Sequence, residues 1–316
     1  MKFSIVHDSR IGCRNMNQDR LNWAQTDDAV LLVLCDGMGG HRHGEIAAQL
    51  AVQRVCEIFR RVATPYLADP LRFLTDAITQ AHAAINDYAA QRAIPLNDAP
   101  RTTCVVCVVQ DGIALWAHVG DSRLYHLRAG DAVSRTTDHS RVQMLLDAGE
   151  ITADEAARHP QRNLVYNCLG GDAPPRIDVA KAVRLEPDDI IALCSDGAWA
   201  PVADRFPAAF ALPLQRAVPL LLDAAEAAAG PTCDNLSLIA LRWECVASEL
   251  EAETMQASAI STLVEDFAGA QAAAGSGQGQ LFPSGEALTE ADIDRAVADI
   301  RARIQQANTN KPTGVS

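Results

Sequence analysis

The sequence predicts an α+β fold, and three observations carry that expectation. Apolar runs of strand length recur at residues 31–36, 103–110, 113–119, 122–128, 189–194 and 236–243. Asp111-Gly112 separates two of them as a tight-hairpin signal, which makes those neighbours antiparallel. Two long stretches, 45–61 and 70–92, instead space their apolar residues as helices do.

Residues 3–7 read as a short strand. A polar turn, SRIGCRNMNQDR, then carries Arg14, Asn17, Gln18 and Asp19 before apolar residues resume at Ala29. The run LLVLCD predicts a buried strand that delivers Asp36 to its end, and Gly37 begins a sharp glycine-rich turn. In the helix over 45–61, Ile46, Leu50, Val52, Val55, Ile58 and Phe59 share one face. In the helix over 70–92, Leu71, Leu74, Ile78, Ala81 and Ile85 do the same. Residues 95–101 form a loop. The three strands that follow are interrupted by Asp111-Gly112 and Gly120-Asp121, with Asp131 and Arg135 as turn and edge residues.

From 137 to 171 the pattern becomes polar and loop-rich. Thr152 and Glu155 stand in capping-box spacing, so a short helix begins near Ala153 and ends before Pro160. Long insertions of this kind often cover a site. Strands resume at 176–184 and 189–194, the second followed by Ser195-Asp196-Gly197. A helix lies within 207–229, and Asp234-Asn235 precedes the last strand. Beyond Trp243 there are eleven Asp/Glu and four Lys/Arg. Residues 268–285 read as a flexible linker, and Ile293, Val297, Ile300 and Ile304 give a helix over about 289–307 a narrow apolar seam. That helix would dock a partner or its own domain.

The chain has 316 residues, 48% of them apolar, a net charge of -13 and a pI near 5.0. Such acidity argues against a nucleic-acid groove and an anionic membrane surface. The N-terminus lacks a signal-peptide core and no run approaches ~18 apolar residues, so a cytoplasmic, non-inserted protein is expected. Cys35, Cys104, Cys107 and Cys194 sit in apolar runs as small hydrophobes; Cys104 and Cys107, three apart on a strand, would point to opposite faces.

The glycine-rich turn after Asp36 fails as a nucleotide cradle. A dinucleotide fingerprint from Gly37 meets Arg42 where Gly is needed, and a P-loop from Gly39 meets Glu45-Ile46 where Lys-Ser/Thr is needed. Three strands nevertheless end with Asp beside Gly, at Asp36-Gly37, Gly120-Asp121 and Asp196-Gly197, and Asp234 stands before a fourth. Carboxylates converging within ~4–6 Å repel unless cations neutralise them. An all-oxygen set, with the Gly37 carbonyl, favours magnesium or manganese over zinc. Two such ions activate water and bind phosphoryl oxygens, so the chemistry implied is metal-assisted hydrolysis of a phosphate ester, with Arg14 available to the phosphate.

The segments GCRNMNQD, LCDGMGGHRHGE, TTCVVCVV, HVGDSRLYHLRAG, TTDHSRVQMLLDAGEITADEAARHPQRN, LCSDG and DNLSLIAL resemble, in order, the bacterial branch of the metal-dependent PP2C serine/threonine protein phosphatases. The resemblance covers about residues 3–243. It implies a four-layer α-β-β-α sandwich with two central antiparallel-rich sheets, a catalytic domain over 1–245 with residues 137–171 as its flap, and an acidic extension over 246–316. It further implies two Mn²⁺ or Mg²⁺ ions with a third in some members. Asp36 would bridge the pair, the Gly37 carbonyl would bind one ion, Asp196 and Asp234 would complete the set, Asp121 would hold the third ion, and Asp19 would act through water. Arg14 would bind phosphate. The activity implied is hydrolysis of phosphoserine and phosphothreonine on proteins by a metal-bridging hydroxide, opposing a bacterial Ser/Thr kinase, with type VI secretion control as one setting.

Two positions depart from the family pattern. Gln18 stands where Glu is common, and Met38 where eukaryotic members have a histidine, leaving His41, His159 and a metal-bound water as candidate general acids. These departures motivate an alternative, a weakly active phosphoprotein-binding regulator.

Overall fold

The computed structural model describes residues 1–38, 43–95 and 98–244, and elements are numbered in chain order. Strand β3 (Ala29–Asp36) shows how the layers are built. Its side chains alternate faces. Leu31, Val33 and Cys35 pack with helices α1 (Gly44–Val62) and α2 (Pro70–Gln91), whereas Val30, Leu32 and Leu34 enter a second core between two sheets. A strand buried on both faces reads as a continuous apolar run. Strand β4 (Cys104–Gln110) repeats the pattern, so Cys104 faces the helices and Cys107 the opposite sheet. Both thiols are free.

The first sheet runs β2-β3-β4-β5-β8, with β2 at Asp19–Gln25, β5 at Ile113–Val119 and β8 at Asp178–Val179; β9 (Val183–Arg184) also pairs with β5. The second runs β1-β11-β10-β6-β7, comprising Lys2–Arg10, Leu236–Glu244, Ile190–Cys194, Arg123–Arg128 and Asp131–Arg135. All these pairings are antiparallel. Helix α7 (Leu214–Ala229) covers the outer face of the second sheet, packing Leu214, Val218 and Leu222 into a core with Leu236, Leu238 and Ala240. Helices, sheet, sheet and helix thus form the four layers expected. Each Leu or Ile fully buried among them contributes about 1.5–3 kcal/mol.

The flap carries α3 (Arg141–Asp147) and α4 (Ala153–Ala157), and the capping box at Thr152 and Glu155 is complete. Bridges Ser140↔Val165 and Thr102↔Leu169 tie down its return. The short helices α5 (Asp196–Trp199) and α6 (Phe206–Ala209) precede α7.

Two sequence expectations need correction. The polar stretch read between residues 3–7 and Ala29 gives way at Asp19 to β2, an edge strand whose middle positions are only half-buried and therefore lack an apolar signature. The strand expected over 176–184 is two short rungs, because its register on β5 slips by one residue between them. The helix expected within 207–229 is α7, with Pro213 at its N-cap. The linker and helix expected beyond 245 lie outside the described residues.

Candidate metal centre

Asp19 opens β2, Asp36 closes β3, and the two are paired directly across the strands. Like charges placed opposite one another are destabilising, so the pair calls for a proton or a cation. Burial, then the charges of Asp19, Asp196, Asp121 and Asp234, push the Asp36 carboxyl well above the usual carboxylate range. Asp196, the first residue of α5, is pushed up to about 6 by burial and then by Asp234 and Asp19. Asp121, just after β5, is raised well above its ordinary value by burial and by Asp196. Asp36, Asp196 and Asp234 stay partly open to solvent, whereas Asp19 and Asp121 are buried. The five carboxylates named from the sequence therefore lie at one end of the sheets, near enough for their charges to act on one another.

Each is held by its backbone or by a neighbour. The Asp36 N–H donates to Thr103 Oγ1 at 3.0 Å, and its carbonyl accepts from the Thr103 N–H at 2.9 Å and from Thr102 Oγ1 at 2.8 Å. Ser195 Oγ donates to Asp19 Oδ2 at 2.7 Å and accepts from the Ser237 N–H at 3.0 Å, joining the two sheets. Asp234 Oδ1 accepts from the Asn235 N–H at 2.8 Å, and its Oδ2 accepts from Arg14 Nη2 at 2.6 Å. Trp199 Nε1 donates to the Asp121 carbonyl at 3.2 Å. Its ring lies under Arg123, which Asp138 grips through two bonds of 2.8 Å.

Residues that the sequence did not mark set the position of Arg14. Asn235 Oδ1 accepts from the Gln18 N–H at 2.8 Å, while its Nδ2 donates to the carbonyls of Ile11 and Met16 at 2.9 and 3.0 Å. One amide thus closes the loop that carries Arg14. The available signal was an Asp-Asn pair opening an apolar strand. Ser195 offered even less, being one serine beside a predicted ligand.

Gly37 has a nearer reason to be glycine than ion access. A Cβ there would stand 2.4 Å from the Gly44 carbonyl group, so α1 can start against this turn only without a side chain. Gln18 is likewise explained: its Nε2 donates to Glu45 Oε2 at 3.2 Å, where a glutamate would repel. His159 is not brought into the cluster. Its Nδ1 accepts from the Gln161 N–H at 3.1 Å on the flap. His41 lies outside the described residues.

Among the described residues no three carboxylate, imidazole or thiol groups stand in ligating geometry, and Ser195 and Arg14 hold Asp19 and Asp234. The donor set still fits hard divalent cations. It is all oxygen, its members raise one another's proton affinity, and Asp19 Oδ1 is buried without a partner. Among the described residues no helix is long and apolar enough to cross a membrane.

The fold is that of the protein phosphatases. The chain belongs to the Protein phosphatase 2C family, whose model matches residues 8–227. A serine/threonine phosphatase, Stp, of Listeria welshimeri is 31% identical over 186 residues, which are 58% of this chain and 73% of that one. The catalytic domain of the phosphatase PstP, solved in complex with two manganese ions, is 28% identical, with 77% of this chain and 99% of that chain covered and a TM-score of 0.63. PppA, described as a key regulatory component of the type VI secretion system in Pseudomonas aeruginosa, is 27% identical over 77% of this chain and 98% of that chain, with a TM-score of 0.62.

Proposed function

We propose that this chain hydrolyses phosphoserine and phosphothreonine esters on proteins, using two Mn²⁺ or Mg²⁺ ions held by Asp36, the Gly37 carbonyl, Asp196 and Asp234. The observation that carries the reading is the gathering of carboxylates from five strand ends beside a half-exposed arginine. When bound, such ions polarise phosphoryl oxygens and make water a nucleophile at neutral pH. The protein's own groups do the rest. Arg14 exchanges Asp234 for the substrate phosphate, which its fork of donors fits bidentately. Asp19, fixed by Ser195, keeps Oδ1 free to accept a water proton. Asp121 is the candidate ligand of a third ion. Of the candidate general acids, His159 on the flap has Nδ1 occupied as an acceptor, so Nε2 is the nitrogen that would carry a proton if the histidine reached the leaving oxygen.

The likeness to PppA supports a setting in type VI secretion control, where the chain would oppose a Ser/Thr kinase. Purified protein should hydrolyse phosphothreonine peptide with Mn²⁺ and lose the activity in EDTA. Asp196→Asn should remove most of the rate, whereas Cys104→Ser should not. Turnover indifferent to chelation would sink the mechanism, and Mn²⁺ binding without turnover on any phosphoprotein would favour the regulator instead. Comparing phosphoproteomes with and without active enzyme tests the setting.

A further inference from the structure

A cleft of about 210 Å³ opens between Arg101 and the segment that closes the flap, residues 166–176. Its floor is fixed to the carboxylate cluster. Thr102 bridges Gly37 on one side and Leu169 on the other, and the Met38 N–H donates to the Arg101 carbonyl at 3.0 Å. The far wall is anchored on α2, where the Gly170 N–H donates to His82 Nδ1 at 3.1 Å and Asn86 Nδ2 donates to the Gly171 carbonyl at 2.8 Å. Gly170 is pressed so close to this floor that a Cβ would stand 2.1 Å from the Pro100 carbonyl oxygen.

Among the described residues, Arg101 is the charge in this cleft with no acidic partner. Its guanidinium lies along Gly171, where a Cβ would meet Nη2 at 3.3 Å and Cζ at 3.4 Å. Its Nε is buried without an acceptor, and among the described residues it forms no salt bridge. The other lining arginine, Arg176, is occupied by Asp178 through two bonds of 3.0 Å. Asp172, the acid on the lining, is exposed to water. Tyr166 adds a half-exposed aromatic wall.

Residues paired across an antiparallel bridge lie about 5 Å apart, so Arg101 begins within one residue of the turn that carries Asp36. An extended substrate advances roughly 3.3–3.6 Å per residue. With its phosphorylated residue at the cluster, such a chain reaches the cleft about two or three residues away.

We propose that this cleft is an anion subsite for an acidic side chain of the substrate protein, with Arg101 as the residue that determines specificity. The inference rests on the phosphatase reading of the neighbouring cluster. An unpaired guanidinium suits a carboxylate because its planar donors meet both oxygens.

The test compares a phosphothreonine peptide bearing Glu two and three residues to either side with its Gln counterpart, using the full chain and Mn²⁺. The Glu peptide should have a KM roughly fivefold lower, as one half-exposed ion pair supplies. Arg101→Ala should bring the two peptides to the same KM, and Arg101→Lys should keep part of the difference. Fluorescence anisotropy with the unphosphorylated peptides reads the same preference without turnover. Glu-selective binding that depends on Arg101 in a protein that hydrolyses nothing therefore supports the subsite while overturning the phosphatase reading. Equal KM and equal binding of both peptides by the wild type, or a preference that survives Arg101→Ala, overturns the subsite.

Discussion

Asn235 decides where Arg14 stands, because its one amide group satisfies the Gln18 N–H and two carbonyls of the loop between them. Asn235→Ala leaves those groups unpaired at a buried position, a loss of about 1–3 kcal/mol. The variant should therefore melt earlier and show a raised KM for phosphopeptide, measured by thermal denaturation and steady-state kinetics. A lowered melting temperature with KM unchanged would show that the loop does not position Arg14. His159 is a candidate for a different step, although it stands on the flap and outside the cluster. If its Nε2 protonates the leaving oxygen, His159→Gln should slow hydrolysis of a phosphoserine peptide by about 10²-fold or more. p-Nitrophenyl phosphate, whose leaving group needs no proton, should be much less affected, and equal losses on both substrates would remove the histidine from that role.

Elements explain why some of this was legible and some was not. Strands β3 and β4 announce themselves because both their faces are buried, one against α1 and α2 and the other against the second sheet. Their Asp-Gly ends were visible for the same reason, as polar residues closing apolar runs. Strand β2 was hidden, since an edge strand half-open to solvent has no apolar period to read. The register slip that splits β8 from β9 depends on β5, far away in sequence. Gly37 was noticed for a local reason, yet its requirement comes from Gly44 at the start of α1. That difference can be tested. Gly37→Ala must push the turn away from α1, so it should lower thermal stability even in EDTA, when no cation is held. A melting temperature in EDTA equal to that of the wild type would return the glycine to a role in ion access alone.

At the scale of the whole molecule the cluster couples protons, cations and stability. Asp36, Asp121, Asp19 and Asp196 all have folded proton affinities raised first by burial and then, in differing order, by one another or by nearby acids. An aspartate whose folded pKa is raised above its unfolded value near 4 stabilises the fold fully below that value, and the contribution is lost as pH rises through the folded pKa. For Asp196 that window runs from about 4 to about 6. The net charge of -13 acts in the same direction, because self-repulsion grows as carboxyls ionise. Without divalent cations the protein should therefore lose stability as pH rises through about 6. A bound cation reverses the sign, since it binds only deprotonated ligands and releases their protons. The increase in melting temperature produced by Mn²⁺ over EDTA should be small at pH 5 and grow through pH 6 toward 7.5. Asp196→Asn removes one of the titrating ligands, so it should reduce the increment at pH 7.5 more than at pH 5. A wild-type increment independent of pH would show that these carboxylates do not hold the cation, whatever the activity of the protein, because protons and cations would then not be competing for the same oxygens.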